Sequence, residues 1–243
     1  MAINIFESLK RAKNNSILFN IKLLNDKKIQ VDKKILKLLN PWLKSKEWKK
    51  ESVEAYRLYN SGDFLDIGSC FGVYFFFLAP KAKKNKFVGV EPNIKNQEGF
   101  LHTVSYLSKI FPHINFIKIP FPISNSNFVS YDDTKFGHIK YVKKYNNKIF
   151  SIKGDELVNF LDLKPTLIKI DVEGAEKDVV FSLDKTLDKF RPNLILEKHP
   201  GYLKNEEIQK IDKFLIKRKY KKKKTIYADS LAICEVWKYF KNV

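Results

Sequence analysis

Phe64-Leu65-Asp66-Ile67-Gly68-Ser69-Cys70-Phe71-Gly72 is an apolar run that ends in an acid and is followed by two glycines, spaced D-x-G-x-x-x-G. The run predicts a buried strand, and the glycines predict a tight turn that opens into a helix. A residue without a Cβ lets a ligand approach the backbone closely, so Gly68 and Gly72 mark the turn as a place for one. A second short run, Phe87-Val88-Gly89-Val90-Glu91, also ends in an acid, and Glu91 lies 25 residues beyond Asp66. An acid that ends the second strand of such a unit accepts hydrogen bonds from both ribose hydroxyls of a nucleoside.

The spacing excludes two relatives of this arrangement. A dinucleotide fingerprint needs glycine at positions 70 and 73, where Cys70 and Val73 stand, and the Gly-Lys-Ser/Thr end of a P-loop is missing. An anionic pyrophosphate is therefore disfavoured, and a nucleoside with an uncharged bridge, such as S-adenosylmethionine, fits better. Leu167-Ile168-Lys169-Ile170-Asp171-Val172-Glu173-Gly174-Ala175-Glu176 is a further apolar strand that runs into acids and a glycine. Arg191-Pro192-Asn193-Leu194-Ile195-Leu196-Glu197-Lys198-His199 is another.

With Glu91-Pro92-Asn93, these segments resemble the FkbM family of S-adenosylmethionine-dependent methyltransferases. The family's hallmark, I-K-I-D-V-E-G-A-E, stands unchanged at Ile168 to Glu176. Ser69 and Cys70 replace an Ala-Asn pair of its first motif, D-x-G-A-N-x-G. Gly154 to Leu157 is similar to the T-L-D-E-L segment, with Gly154 in place of leucine. The resemblance covers residues 50 to 200. It implies an α/β, Rossmann-like class I methyltransferase fold: a mostly parallel seven-stranded sheet, its last strand antiparallel, with helices on both faces. It also implies O-methylation of a hydroxyl on a sugar, a glycan precursor such as a nucleotide-linked sugar, or another small metabolite.

The 243 residues, 44 % apolar, suffice for one good core. Residues 1–60 read as an amphipathic helical extension with breaks near Asn14-Asn15, Asn25-Asp26 and Pro41; it packs on the sheet edge, covers the substrate as a lid, or makes a dimer contact. Asp32 is a candidate helix cap. Residues 61–243 form the methyltransferase domain, where strands and helices alternate. Strands are expected near 63–67, 86–91, 115–119, 167–171 and 193–197, followed by a helix capped by Asn205 and a hairpin over 220–227 and 231–237. The stretch 120–153 departs from alternation and reads as an insertion that helps to wall the substrate pocket. No segment reads as a signal peptide or a membrane span, and Cys70 and Cys234 make neither a disulfide framework nor a metal knuckle, so a cytoplasmic location is expected.

The net charge of +19 comes mostly from lysine, which supplies 42 of the 46 basic residues. Together with abundant Ile, Asn, Phe and Tyr, this is the composition an AT-rich genome produces, whereas base readers favour the arginine fork. No specific nucleic-acid partner is expected. The run Lys217 to Lys224 is either a solvated surface or a contact for an anionic substrate or membrane face.

In open α/β sheets ligands bind outside the carboxyl ends of strands, and Asp66, Glu91, Asp171, Glu173, Glu197 and His199 all fall there. Gly68 and Gly72, with Ser69 and Cys70 between them, give the methionine part backbone access beside a helix N-terminus. Glu91 takes the ribose, Pro92 and Asn93 border the nucleoside, and Ile123 and Ser124 flank the adenine. A hydroxyl acceptor must lose a proton. Asp171, at the end of the central strand, is the first candidate base, and His199, titrating near neutrality, is the second. Asp171 could instead orient the methionine amine or cap a helix. Lys169, unusual inside an apolar strand, is expected to pair with an acid. Glu173 and Glu176 suit a first helical turn. Asp171, Glu173, Glu197 and His199 could converge on Mg, Mn or ferrous iron, but no ligand spacing demands it, so no metal is expected. His102, His113 and His138 show no such spacing. Two readings compete: a nucleic-acid methyltransferase, which would lack its Asn/Asp-Pro-Pro-Tyr/Phe segment here, and a non-catalytic basic binding module on the same fold, against which intact Gly68, Gly72, Glu91 and Asp171 argue.

Overall fold

The computed structural model describes residues 9–11, 17–22, 28–132, 140–141 and 148–240. It opens with three strands, β1 (Leu9–Arg11), β2 (Ile17–Lys22) and β3 (Lys28–Val31), which pair antiparallel in that order. The helical expectation fails for this part of residues 1–60. Ile17, Phe19, Ile21, Ile29 and Val31 are β-branched or aromatic, and the polar clusters taken for helix breaks separate strands instead. From Asp32 onward the extension is helical. In α1 (Lys33–Lys44) Asp32 caps the start by accepting from the Ile35 N–H at 2.8 Å, and the helix runs through Pro41. Ser45 caps α2 (Lys46–Leu58), accepting from the Trp48 N–H at 3.2 Å.

Alternation then sets in: β4 (Asp63–Ile67), α3 (Val73–Leu78), β5 (Lys86–Val90), α4 (Ile94–Ile110) and β6 (Asn115–Ile119). The insertion supplies β7 (Phe128–Asp132), β8 (Lys140–Tyr141) and β9 (Lys148–Phe150), in the order β8-β7-β9. Its Gly137 and His138 lie outside the described residues. Next come α5 (Gly154–Phe160), β10 (Pro165–Ile170), α6 (Glu176–Ser182), α7 (Asp184–Phe190), β11 (Asn193–Lys198), α8 (Asn205–Lys217), β12 (Tyr220–Ala228) and β13 (Ile233–Tyr239). The cap of α8 is Lys204, one residue before the expected Asn205, because the Glu207 carboxylate reaches back to the Lys204 N–H at 3.3 Å.

The main sheet has seven strands in the order β12-β13-β11-β10-β4-β5-β6. β11, β10, β4, β5 and β6 are parallel, and β13 runs antiparallel to both its neighbours. The chain starts at β4, walks outward to β6, and restarts at β10 on the other side of β4. Between β4 and β10 the strand order reverses, and there the two connecting segments diverge and leave a crevice.

Alternate residues of β4 serve two cores. Phe64 packs under α1–α4 with Phe75, Phe87, Phe100 and Phe116, in edge-to-face or tilted pairs with ring centroids 5.5–6.0 Å apart. Leu65 and Ile67 pack on the opposite face under α5–α8. Burial on both faces is what makes the parallel strands near-continuous apolar runs. No helix among the described residues is long and apolar enough to cross a membrane.

Candidate functional site

A cavity of about 270 Å³ opens at the β4/β10 switch point. Its floor is Ile67, Gly68, Ser69 and Cys70, its far wall Val90, Glu91 and Pro92, and Pro122 and Ile123 close one end. Lys169, Asp171, Glu173 and Glu197 stand at the other end. The extension forms the roof: Leu38, Pro41 and Trp42 from α1, and Trp48 and Glu51 from α2.

The glycine turn owes its form to the protein's own packing. Gly68 has φ +83°, and a Cβ there would lie 1.6 Å from the Asp171 carbonyl oxygen. Gly72 has φ +71°, and a Cβ there would meet the Phe100 ring at 2.7 Å. Both glycines are thus required by backbone handedness and by neighbouring protein atoms, rather than by a ligand's approach alone. The loops after β4 and β10 are tied together, because the Asp171 N–H also donates to the Ile67 carbonyl at 2.9 Å.

Glu91 is held by the same turn. Its Oε2 accepts from the Cys70 N–H and its Oε1 from the Asn93 N–H, each at 2.8 Å. Burial pushes its carboxyl up to about 7, against these N–H groups, which favour the charged form. The Asn96 side chain also hydrogen-bonds this carboxylate, and Glu91 lines the cavity. The buried Ser69 hydroxyl and the Trp42 Nε1–H, both on cavity-lining residues, have no hydrogen-bond partner among the described residues. An acid fixed by two backbone donors, apolar walls and unpartnered polar groups fit a nucleoside with a hydrogen-bonding tail.

Several expected site residues are placed elsewhere. Asn93 caps α4, accepting from the Lys95 N–H at 2.9 Å, and Ser124 donates to Asp178 Oδ2 at 3.3 Å; neither lines the cavity. Asp66 is fully buried, with no hydrogen bond to either oxygen among the described residues, and burial pushes its carboxyl up to about 7. Of the insertion's described residues only Pro122 and Ile123 line the cavity. Glu176 does open α6, but Glu173 lies ahead of the helix with φ +51°.

The two cationic candidates serve carboxylates. Lys169 Nζ, buried, sits 3.0 Å from Asp171 Oδ2 and 3.8 Å from Glu51 Oε1. Burial alone would lower its pKa, but Asp171, Glu51 and Asp66 outweigh burial and hold it well above the ordinary value. Lys169 is therefore a fixed ammonium that positions Asp171. His199 is also buried, with Nδ1 2.6 Å from Glu176 Oε1. Burial disfavours its charge, yet the Glu176 hydrogen bond and the nearby Asp171 and Glu173 raise its pKa to about 9. Its other nitrogen, Nε2, stands 3.7–3.8 Å from carboxylate oxygens of Asp171, Glu173 and Glu197. Glu51, Tyr74, Trp42 and Trp48 were missed in the sequence because no motif marks them; α1, α2 and α3 bring them in by packing.

A model of the methyltransferase FkbM domain matches residues 66–222, more than half of the chain. No curated protein sequence matches. Among solved structures, the methyltransferase FkbM from Methylobacillus flagellatus KT is similar with a TM-score of 0.53 at 14 % identity, covering 85 % of this chain and 55 % of that one. This chain therefore spans little more than half of that protein. The fibrillarin/Nop5p complex also gives 0.53 at 14 % identity, covering 96 % of this chain and 98 % of that one. At such identities the likeness is one of fold.

Proposed function

The chain belongs to the FkbM methyltransferase family, and from that premise we propose that it transfers a methyl group from S-adenosylmethionine to a hydroxyl of a saccharide or similar small metabolite. The observation that carries this reading is the Glu91 carboxylate, locked by the Cys70 and Asn93 N–H groups, facing the Lys169–Asp171 pair across one cavity. Glu91 accepts from the ribose hydroxyls of the donor, and Ile67, Val90 and Ile123 cover its base. Bound there, the donor supplies a methyl on a sulfonium sulfur, which departs as a neutral thioether.

The chain's own residues align the acceptor and move its proton. Trp48, exposed and lining the cavity, offers an apolar face against which a sugar ring can lie. Asp171, held by Lys169, takes the acceptor's hydroxyl proton as the new O–C bond forms. Much of the acceleration then comes from holding the acceptor oxygen near the methyl carbon and in line with it.

Titrating purified protein with S-adenosylmethionine in a calorimeter should give one site per chain. No saturable binding at millimolar donor would defeat the reading. The nucleic-acid reading gains nothing from the basic run. Lys222 and Lys224 are paired with Glu235 and Glu54, and Lys221 and Lys223 lie over the Phe240 ring. Duplex RNA should bind weakly, without sequence preference and with a steep loss on added salt. Sequence-selective binding at about nanomolar concentration in physiological salt would reverse that conclusion.

A further inference from the structure

The chain carries a net charge of +19, yet it gathers acids at one end of its cavity. We propose that Asp171, Glu173 and His199, with Glu197 beside them, form a binding site for one divalent cation of the magnesium or manganese class. Its role in catalysis rests on the methyl-transfer reading; its existence does not.

The geometry begins with His199. Glu176 Oε1 accepts from Nδ1–H at 2.6 Å, which fixes the ring with Nε2 toward Asp171, Glu173 and Glu197, and an ion bound there displaces the Nε2 proton. A carboxylate holding the far nitrogen of an imidazole is the usual support of a metal-binding histidine. Around Nε2 stand Asp171 Oδ1 at 3.8 Å, Glu173 Oε1 at 3.7 Å and Glu197 Oε1 at 3.7 Å. These separations exceed hydrogen-bond reach. They suit a shared ion instead: two ligand atoms each about 2.1 Å from one octahedral cation stand roughly 3.0 to 4.2 Å apart. Asp171, Glu173 and His199 each place one ligand atom within 4.8 Å of the others.

A second observation points to a missing ligand. Glu197 is 7 % exposed, and its Oε2 is buried without a hydrogen-bond partner among the described residues. Lys169 does not fill the site, since its ammonium lies on Asp171 Oδ2 and toward Glu51, on the other side of Asp171 from His199. The neighbouring trio of Glu51, Glu197 and Cys234 already has that ammonium within 3.8 Å of Glu51. Two carboxylate oxygens and one imidazole nitrogen favour a hard or borderline ion, and octahedral coordination leaves positions open toward the cavity. An acceptor hydroxyl bound at such a position is polarised and gives up its proton more readily.

The test uses the full chain, stripped with a chelator, dialysed, and titrated with Mn²⁺ in a calorimeter, with free Mn²⁺ followed in parallel by electron paramagnetic resonance. One Mn²⁺ per chain is expected. Glu173→Gln and Glu176→Gln should each weaken it by about 10- to 100-fold, the first by removing a ligand and the second by freeing the imidazole. Glu173 sits in a loop with a side chain 24 % exposed, so its variant should fold, and an unchanged circular dichroism spectrum verifies this. Mn²⁺ should also raise the melting temperature of the parent and not of Glu173→Gln. No saturable Mn²⁺ binding at millimolar concentration overturns the site, as does undiminished affinity in a folded Glu173→Gln. Donor binding, titrated separately without metal, keeps the two readings distinct: donor without Mn²⁺ sinks only the metal site, and Mn²⁺ without donor sinks only the methyl-transfer reading.

Discussion

Glu91 and Asp171 line one cavity, and the proposed reading gives them different work. Removing the Glu91 carboxylate takes away charge-assisted hydrogen bonds worth about 1.5–3 kcal/mol. Glu91→Ala should therefore weaken S-adenosylmethionine binding by roughly 10- to 100-fold in calorimetry. Because burial holds this carboxyl at about 7, donor affinity should fall as the pH drops below 7, where the neutral form accumulates. The donor selects the ionised form, so binding near pH 7 should release a proton to buffer, and a Glu91→Gln variant should release none. Asp171→Asn keeps the shape and much of the hydrogen bonding of the side chain but removes the proton acceptor. Turnover measured with the true acceptor should drop by about 10²- to 10⁴-fold, with donor affinity little changed. A near-parental rate would remove Asp171 from the role of base.

At the scale of elements, α3 is the piece on which the turn rests. All six of its residues, Val73 to Leu78, are buried, and Phe75 touches the rings of four other phenylalanines. Phe75→Ala should cost about 3–5 kcal/mol in urea denaturation, because the surrounding rings belong to three strands and a helix and cannot all close on the gap. A loss below about 1 kcal/mol would mean that this core repacks freely. The strands around that cluster were legible in the sequence because both their faces are buried, which leaves unbroken apolar runs ending in acids. The hairpin of β12 and β13 was legible from its turn residues Ala228-Asp229-Ser230. Residues 9–31 were not, since short polar and apolar stretches of that length satisfy a helical and an extended period equally well. Carboxylates at strand ends could be placed from spacing alone. The roof residues Trp42, Trp48 and Glu51 could not, because only the docking of α1 and α2 decides which of their faces meets the cavity. The upward pKa shifts of His199 and Lys169 were hidden for the same reason: each depends on carboxylates from several separate elements.

For the molecule as a whole, the buried acids set a dependence of stability on pH. Asp66 has an ordinary value of 3.8 and is held at about 7 by burial in the fold. Between those values the folded chain binds more protons than the unfolded one, so this group costs stability as pH rises from about 4 to 7, and the cost stays in place above 7. Asp66→Asn should flatten that slope and raise stability at pH 8 by about 1–3 kcal/mol, with a smaller gain at pH 5.5, in denaturant titrations at the two pH values. An equal change at both would show that the carboxyl titrates in its ordinary range.

The contact between Gly68 and the Asp171 carbonyl has a consequence at this largest scale. It makes the donor loop and the acceptor loop one mechanical piece, braced by the bond from the Asp171 N–H to Ile67. On the proposed reading, a donor that shifts one loop also shifts the other, and the effect appears as affinity for the acceptor. Such linkage is reciprocal: whatever factor the donor contributes to retention of the acceptor, the acceptor returns to the donor.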